Sequence, residues 1–470
     1  MTLKTRIQEF SSANFDFKVK ETAPEASSNI EVKEVVKHHE PLKFDLLTDQ
    51  EIVYKDIIYE KLMQHLELSQ VIKLDIADAR KQISMIARRV LEEENLPIIA
   101  KSRQLIVNEL LNDILGLGPL EHLLYDQSIS DILVNGAKKV FVERFGILEK
   151  TPVTFKDDEH LLKIVHRIVS QVGRRIDESC PYADARLLDG SRVNAIIPPL
   201  SLDGPSVSIR RFTKNKKELH DMIKFGSISP EMAEIFALMI KARLNILVSG
   251  GTGSGKTTML NALANNIPDT ERVVTIEDSA ELQIYLDNIV RLETRIPNIE
   301  GNGAVTQRDL VRNALRMRPD RVIIGEVRGQ EAFDMLQAMN TGHDGSLATI
   351  HANTPRDAIS RVESMVTMSG FELPVKTIRT QIASAINVVM QLERMEDGGR
   401  RVVSVSEVSG MEGDVITMSE IFRFERKGVD DAGNVAGGFV ATGVVPRFYE
   451  RMKKRGIVVN YDLFNNKTAE

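Results

Sequence analysis

The chain has 470 residues, 42% of them hydrophobic and only 5% aromatic, and its 61 Lys+Arg against 67 Asp+Glu give a formal charge of −6. That apolar fraction excludes a wholly disordered chain, and the length implies about three domains with sizeable cores. So mild a charge offers no global electrostatic case for nucleic acid or anionic lipid.

Residues 1–45 are polar, of mixed charge and without periodicity, and predict a disordered or weakly ordered tail. Residues 46–118 predict a small helical bundle. Ile52, Val53, Ile57, Ile58, Leu62, Met63 and Leu66 mark one apolar face. Ile76, Ala79, Ile83, Ile86, Ala87, Val90 and Leu91 mark a second, and Leu105, Ile106, Leu110 and Ile114 a third. Gly116-Leu117-Gly118-Pro119 ends it.

Residues 119–215 predict a compact α+β domain. Ile132-Leu133-Val134 and Val140-Phe141-Val142 read as strands about the turn Asn135-Gly136. A helix over 157–172 carries Leu161, Leu162, Val165, Ile168 and Val169; Asp189-Gly190 reads as a second hairpin turn and Val207-Ser208-Ile209 as a further strand. Cys180, the one cysteine, excludes an internal disulfide and any multi-cysteine zinc site, and reads as a packed thiol. Residues 216–229 close a Lys-, Gly- and polar-rich stretch from about 213 and read as a linker.

Residues 230–470 alternate helical patterns with buried strands: Ile246-Leu247-Val248, Val273-Val274-Thr275-Ile276, Val322-Ile323-Ile324 and Leu347-Ala348-Thr349-Ile350. That alternation predicts a parallel, helix-covered sheet. Residues 386–442 are strand-rich with Gly-rich turns. No apolar run approaches the roughly 20 residues a membrane helix needs. The opening Met1-Thr2-Leu3-Lys4-Thr5-Arg6 leads into Gln8-Glu9, not an apolar block. The expected location is cytoplasmic, with no direct membrane insertion.

Gly250-Gly251-Thr252-Gly253-Ser254-Gly255-Lys256-Thr257 matches G-x-x-x-x-G-K-[ST] between a predicted strand and a predicted helix beginning at Thr258, the context a phosphate-binding loop requires. Such a match arises by chance about 0.02 times in a chain this long at average residue usage. The glycines let backbone N–H groups wrap a phosphate, and the following helix dipole adds to the attraction. Lys256 would reach the β- and γ-phosphates of ATP, and the Thr257 hydroxyl would bind Mg²⁺.

Hydrolysis needs carboxylates beside the γ-phosphate. Glu326 ends the apolar run Arg321-Val322-Ile323-Ile324-Gly325, where ligands of such sheets sit, and is a candidate for the magnesium shell. Glu277 follows strand 273–276, with Asp278 and Glu281 beyond it. One carboxylate can hold the metal shell while another orients or deprotonates water. His343 and His351 border the strand 347–350, and the reading places both on the catalytic side, as a γ-phosphate sensor or a structural hydrogen bond. Arg308, Arg312 and Arg316 recur on one helix face, Arg328 follows Glu326, Arg186 and Arg192 flank Asp189-Gly190, and Arg210-Arg211 close strand 207–209. These read either as solvated charge or as arginine fingers.

The loop 250–257, Thr275-Ile276-Glu277-Asp278-Ser279-Ala280-Glu281-Leu282, Ile324-Gly325-Glu326-Val327-Arg328 and Thr349-Ile350-His351-Ala352-Asn353 together resemble the Walker A, Asp box, Walker B and His box of the type II/type IV secretion ATPase superfamily, in that family's order. The four-cysteine zinc insert of type II secretion members is missing. Gly116-Leu117-Gly118-Pro119-Leu120-Glu121, Ile129 to Gly136, Val142-Glu143-Arg144-Phe145-Gly146 and Ser208-Ile209-Arg210-Arg211-Phe212 resemble the CpaF/TadA-type branch that powers Tad/Flp pilus assembly.

The resemblance implies a fold of class α/β, a RecA-like P-loop core preceded by an α+β, PAS-like domain and the helical bundle. It implies a homo-hexameric ATPase using ATP and Mg²⁺, peripheral on the inner membrane through a platform protein. Glu277 would be the catalytic base, Glu326 the Walker B acid and His351 the His-box residue. Arg210, Arg186 and Arg192 would reach phosphate from the N-terminal domain or a neighbouring subunit. Gly250 to Thr258 would bind nucleotide; Thr257 and Glu326 would serve Mg²⁺, directly or through water. Nucleic acid is not an expected partner. A type IV pilus motor, a conjugative secretion ATPase, a nucleotide-gated scaffold with negligible turnover and a nucleic-acid motor remain alternative readings.

Overall fold

A computed structural model describes residues 46–65, 75–144, 147–212, 217–295, 297, 302–430 and 433–465. The tail read over 1–45 lies outside these residues, as do Leu66, Phe145, Gly146 and part of the stretch 213–229.

Three helices come first, α1 (Asp49–His65), α2 (Ile76–Glu93) and α3 (Ala100–Leu115). They share an apolar core of Ile58, Leu62, Ala79, Ile83, Ala87, Val90, Ile106 and Leu110. The apolar face read on α1 is corrected. Ile52, Val53 and Ile57 are exposed, because the buried stripe runs through Tyr54, Ile58 and Leu62 at helical spacing and the other three lie off it. The short helix α4 (Leu120–Tyr125) follows.

Next come β1 (Ile129–Asn135), β2 (Val140–Arg144), β3 (Ile147–Lys150), α5 (Asp158–Gln171), β4 (Tyr182–Arg186), β5 (Arg192–Ile196) and β6 (Ser206–Arg210). The strands form one antiparallel sheet ordered β3-β2-β1-β6-β5-β4. One face packs on α5 through Leu161, Ile164, Val165 and Ile168. β5 and β6 alternate buried with more exposed residues, as strands of a half-covered sheet do. Cys180, a free thiol, is only partly buried.

The stretch read as a linker holds a helix, α6 (Leu219–Lys224), whose Leu219 and Met222 are buried against α7 (Pro230–Lys241). A polar composition hid two well-placed apolar residues. Then follow β7 (Ile246–Gly250), α8 (Lys256–Ala264), β8 (Val273–Glu277), β9 (Ile289–Glu293), α9 (Gln307–Ala314), β10 (Arg321–Val327), α10 (Glu331–Asn340), β11 (Leu347–Ile350), α11 (Pro355–Thr367), α12 (Val375–Ala385), β12 (Val388–Arg394), β13 (Arg400–Glu412), β14 (Val415–Val429), β15 (Val435–Ala441) and α13 (Phe448–Lys454).

The second sheet runs β15-β14-β13-β12-β7-β11-β10-β8-β9. From β12 through β9 it is parallel, with helix-lined cores on both faces; β13 to β15 extend it as an antiparallel meander. This is a RecA-like P-loop core. All the parallel strands point their carboxyl ends to one edge, which is where the loops that follow them converge.

The opposite edge is fixed by a buried ion pair. Arg321, fully buried at the start of β10, sets Nε 2.5 Å from Glu271 Oε2 and Nη2 2.8 Å from the Ile240 carbonyl. A buried charge that loses its partner is costly where the intact pair is near neutral. Glu271→Ala should therefore destabilise the fold by about 3–5 kcal/mol, and Glu271→Leu with Arg321→Met should recover most of it. Urea unfolding of the two variants measures both.

Candidate functional site

The loop after β7 wraps the amino end of α8. Gly250 has no room for a side chain: a Cβ there would stand 2.5 Å from the Leu392 carbonyl oxygen and 2.4 Å from Ser254 Oγ. Gly255 caps α8 at φ 96°, a left-handed conformation that glycine takes without strain. The buried Lys256 donates from Nζ to the Gly250 and Gly251 carbonyls at 3.0 and 2.7 Å. Burial holds its ammonium below the usual lysine range, with Arg328 adding to the effect and Glu326 opposing it. Arg400 of β13 donates from Nε to the Gly253 carbonyl at 2.9 Å and steadies the loop from outside.

Three neighbouring strand ends bring side chains to this loop. Glu277, at the end of β8, is only 3% exposed. Its Oε2 accepts the backbone N–H groups of Glu281 and Leu282 at 2.7 and 2.9 Å, while Oε1 is buried without a protein partner. Burial raises its pKa above the ordinary glutamate value, more than the two amides and Arg291 lower it. Glu326 on β10 sets Oε1 3.1 Å from His351 Nε2 and Oε2 2.5 Å from Arg328 Nη2. Burial pushes its carboxyl upward, but Arg328, His351 and Lys256 outweigh that and hold it below the ordinary range. Burial and Lys256 hold His351 below the usual imidazole range. Arg328 Nη1 also lies 3.6 Å from Asp278 Oδ2, so one guanidinium spans two acids.

The first sheet contributes a row of arginines. Arg186 pairs in register with Arg192, and Arg192 with Arg210, across β4, β5 and β6. Like charges directly opposite one another destabilise a sheet. Here each has a carboxylate. Arg186 forks onto Glu293 at 2.9 and 3.0 Å and donates to Ser279 Oγ at 2.8 Å; Arg192 meets Glu281 at 2.6 Å; Arg210 meets its rung neighbour Asp131 at 3.3 Å. Two of these bonds therefore hold the hairpin β4–β5 against the loop that follows β8. A cleft of about 220 Å³ lies at this junction, lined by Arg192, Arg210, Phe212, Thr257, Thr258 and Asn261 among others.

The loop 250–257, Thr258, Glu277, Glu326 and His351 come together at the sheet's carboxyl edge, and Arg192 and Arg210 share the cleft with Thr257 and Thr258. Arg186 sits beside them, committed to Glu293 and Ser279. Other readings are corrected. His343 precedes β11 and so lies at the opposite edge from the loop. Arg308 and Arg312 both hold Asp334, at 2.9 and 3.0 Å, and Arg316 lies beyond the end of α9. Arg211 donates to the Leu124 and Asp126 carbonyls and serves packing. Motif reading missed Arg400, whose one signal was its place across the β12–β13 turn from a strand paired with β7.

The arrangement fits a magnesium-bound nucleoside triphosphate. It offers a backbone cradle closed to any Cβ at Gly250, a helix amino terminus, a buried ammonium, the Thr257 hydroxyl beside Thr258 in the cleft, and a buried carboxylate oxygen, Glu277 Oε1, with nothing bonded to it. Among the described residues no cluster of three or more His, Cys, Asp and Glu side chains forms a metal cage. No described helix is long and apolar enough to cross a membrane.

The sequence profile of the family described as "Type II/IV secretion system protein" matches residues 113–422. A Mycobacterium tuberculosis protein provisionally named for conjugal transfer is 36% identical over 329 residues, 69% of this chain and 93% of its own. The conjugal transfer protein TrbB of Rhizobium radiobacter is 32% identical over 295 residues, 61% of this chain and 86% of its own. The crystal structure of the VirB11 ATPase from the Brucella suis type IV secretion system, in complex with sulphate, is 30% identical, covers 62% of this chain and 92% of its own, and superposes with a TM-score of 0.33.

The arginine row carries its own test. Glu281→Gln removes the counter-charge from Arg192, which faces Arg186 and Arg210. The expected loss is about 0.5–1 kcal/mol, the range of an exposed pair. It should shrink in high salt and vanish in Glu281→Gln/Arg192→Gln, as urea unfolding at two ionic strengths would reveal.

Proposed function

The chain belongs to the type II/IV secretion system protein family, and from that premise we propose that it hydrolyses ATP with Mg²⁺ and works as a motor ATPase of a pilus or secretion machine. The observation that carries the proposal is the convergence of the 250–257 loop, Glu277, Glu326 and His351 on one edge of the second sheet, facing a row of arginines on the first. In this reading the loop amides, the α8 amino terminus and Lys256 hold the β- and γ-phosphates. Thr257 and Glu326 hold Mg²⁺, directly or through water, and the ion when bound neutralises charge on the phosphates.

Glu277 is the base. Its Oε2 is anchored by two amides, so Oε1 is held in one orientation, and its raised pKa makes it the better proton acceptor. Glu326 stays anionic beside Arg328 and His351, which orient it. Arg192 and Arg210 would reach a bound phosphate when the two sheets close further, a role supported by the cleft they share with Thr257 and Thr258. The chemistry is phosphoryl transfer to water by positioning and charge stabilisation, without a covalent intermediate.

The finer reading is a homo-hexameric ring docked on an inner-membrane platform and driving Tad/Flp pilus assembly. It is supported by the CpaF/TadA-like strings at 116–121, 129–136 and 208–212. A conjugative secretion ATPase is the second reading, favoured by relatives named for conjugal transfer. Replacing the chromosomal gene by its Lys256→Ala version separates them: loss of surface pili supports the first, and loss of DNA transfer with pili intact supports the second.

Phosphate release by the purified chain tests the chemistry. Lys256→Ala should abolish binding of a fluorescent ATP analogue. Glu277→Gln should keep that binding and lose about 10²–10⁴-fold in turnover, the usual contribution of a positioned base. No Mg²⁺-dependent turnover in the wild type, or full turnover in both variants, would sink the assignment; binding without turnover would favour a nucleotide-gated scaffold.

The pH dependence has a defined sign. A raised carboxyl pKa means the folded chain holds the Glu277 proton more tightly than the unfolded chain does. Its contribution to stability therefore falls as pH rises from the ordinary glutamate value through the raised one. Turnover follows the opposite course, because the base must be ionised: it should drop as pH falls through the raised pKa. Arg291→Gln, which removes a cation that lowers this pKa, should move the acid limb of the rate profile upward.

A further inference from the structure

Gln391 lies on β12 beside the strand that leads into the phosphate loop. It pairs in register with Ser249, and the next pair is Leu392 with Gly250. Its side chain is only 4% exposed, deep for a carboxamide. Nε2 donates at 3.1 Å to the Ala352 carbonyl and at 3.0 Å to the Asn353 carbonyl, so both its hydrogens are used. Oε1 is buried without a protein partner, and so is Ser249 Oγ. A carboxamide buried here for packing alone would be a poor choice, since an apolar side chain of equal size would leave no acceptor unmatched.

Its two bonds go to the turn that follows β11. That turn begins at His351, whose Nε2 stands 3.1 Å from Glu326 Oε1. The turn carries few bonds of its own. In the stretch 351–354 the described backbone bond is the Thr354 carbonyl accepting Ala358 N–H, which starts α11. The Ala352 and Asn353 carbonyls are held from β12.

We propose that Gln391 is a positioning residue: by holding the Ala352 and Asn353 carbonyls it fixes the turn that sets His351 against Glu326. Its side-chain bonds go to the turn, and it acts through the turn. The inference rests on the ATPase reading for its effect on rate, but the pinning itself is independent of turnover.

Gln391→Met keeps length and volume and removes both donors. Gln391→Asn keeps the donors but is one methylene too short to reach, and stands in should the first variant fold poorly. Amide hydrogen exchange in the chain without nucleotide reads the pinning: the Asp357 and Ala358 amides, which donate to Thr354 at the end of that turn, should exchange about tenfold faster in either variant, while β7 and β10 stay protected. Unchanged exchange at those two amides overturns the proposal, whether or not the wild type hydrolyses ATP.

The catalytic consequence is read separately. Turnover should fall about tenfold with affinity for the fluorescent ATP analogue within twofold, and adding Gln391→Met to His351→Ala should lower the residual rate no further. Equal losses with and without His351, or a loss carried by affinity, overturn it, because general damage to the fold would add to the His351 effect instead of disappearing behind it. If the wild type proves inactive while the exchange difference is present, the ATPase reading fails and the pinning stands.

Discussion

The site depends on a carboxylate used twice. Glu277 spends one oxygen on the Glu281 and Leu282 amides and keeps the other free beside the phosphate loop. The first commitment folds the loop after β8 into a fixed shape, and that loop presents Ser279 and Glu281 to Arg186 and Arg192 of the first sheet. The path from the phosphate cradle to the first sheet thus runs through one buried side chain. Packing around it is tight: a Cβ on Gly325, one strand over, would stand 2.8 Å from Glu277 Cγ. A glycine before Glu326 is needed for Glu277 as much as for the strand that carries it.

Buried acids repeat this device elsewhere in the second sheet. Glu407 of β13, 4% exposed, accepts the Arg447 and Phe448 amides at 2.8 Å each and so caps α13. Glu331 accepts the Arg328 and Gly329 amides at 2.6 and 2.8 Å and shapes the chain just beyond Glu326. Paired N–H donors are a good substitute for water around a carboxylate, yet desolvation still prevails at Glu277 and Glu407, whose pKa values are raised. Glu326 differs because its partners are cations, and its proton is correspondingly weakly held. Two acids on neighbouring strands are driven in opposite directions, upward by burial at Glu277 and downward by a guanidinium at Glu326, a common basis for dividing acid and base roles.

Much of this was legible in the sequence, because strand-period apolar runs and glycine spacing report local geometry directly. The runs at 246–248, 273–276, 322–324 and 347–350 each lie within a parallel strand. Other features depend on contacts between distant residues. The α13 segment is seven residues long and is capped from forty positions away by Glu407, so no local pattern announces it. Ile52, Val53 and Ile57 misled because three apolar residues were present on α1 where the packing used a neighbouring stripe. His343 misled because adjacency to a strand does not say which end of it the residue occupies. Gln391 carries no motif at all; it became visible only when the carbonyls it holds were known.

The arginine row sharpens what the two sheets are for. Sequence placed Arg186 and Arg192 on the two flanks of one hairpin turn and Arg210 at the end of another strand; register makes them one line. Three guanidinium groups in a row repel one another, and Glu293, Glu281 and Asp131 offset that cost. A triphosphate in the adjoining cleft would be a stronger anion than any one of these carboxylates and would compete for the same cations. Arg192 and Arg210 already line the cleft with Thr257 and Thr258, whereas Arg186 is doubly held outside that lining. The row is therefore graded: Arg186 is held at two points, and on the proposed reading Arg192 and Arg210 would be the members to trade carboxylate for phosphate. On the proposed ATPase reading, a junction built this way would turn the charge of a bound nucleotide into a change in how the two sheets meet, and its hydrolysis into the reversal of that change.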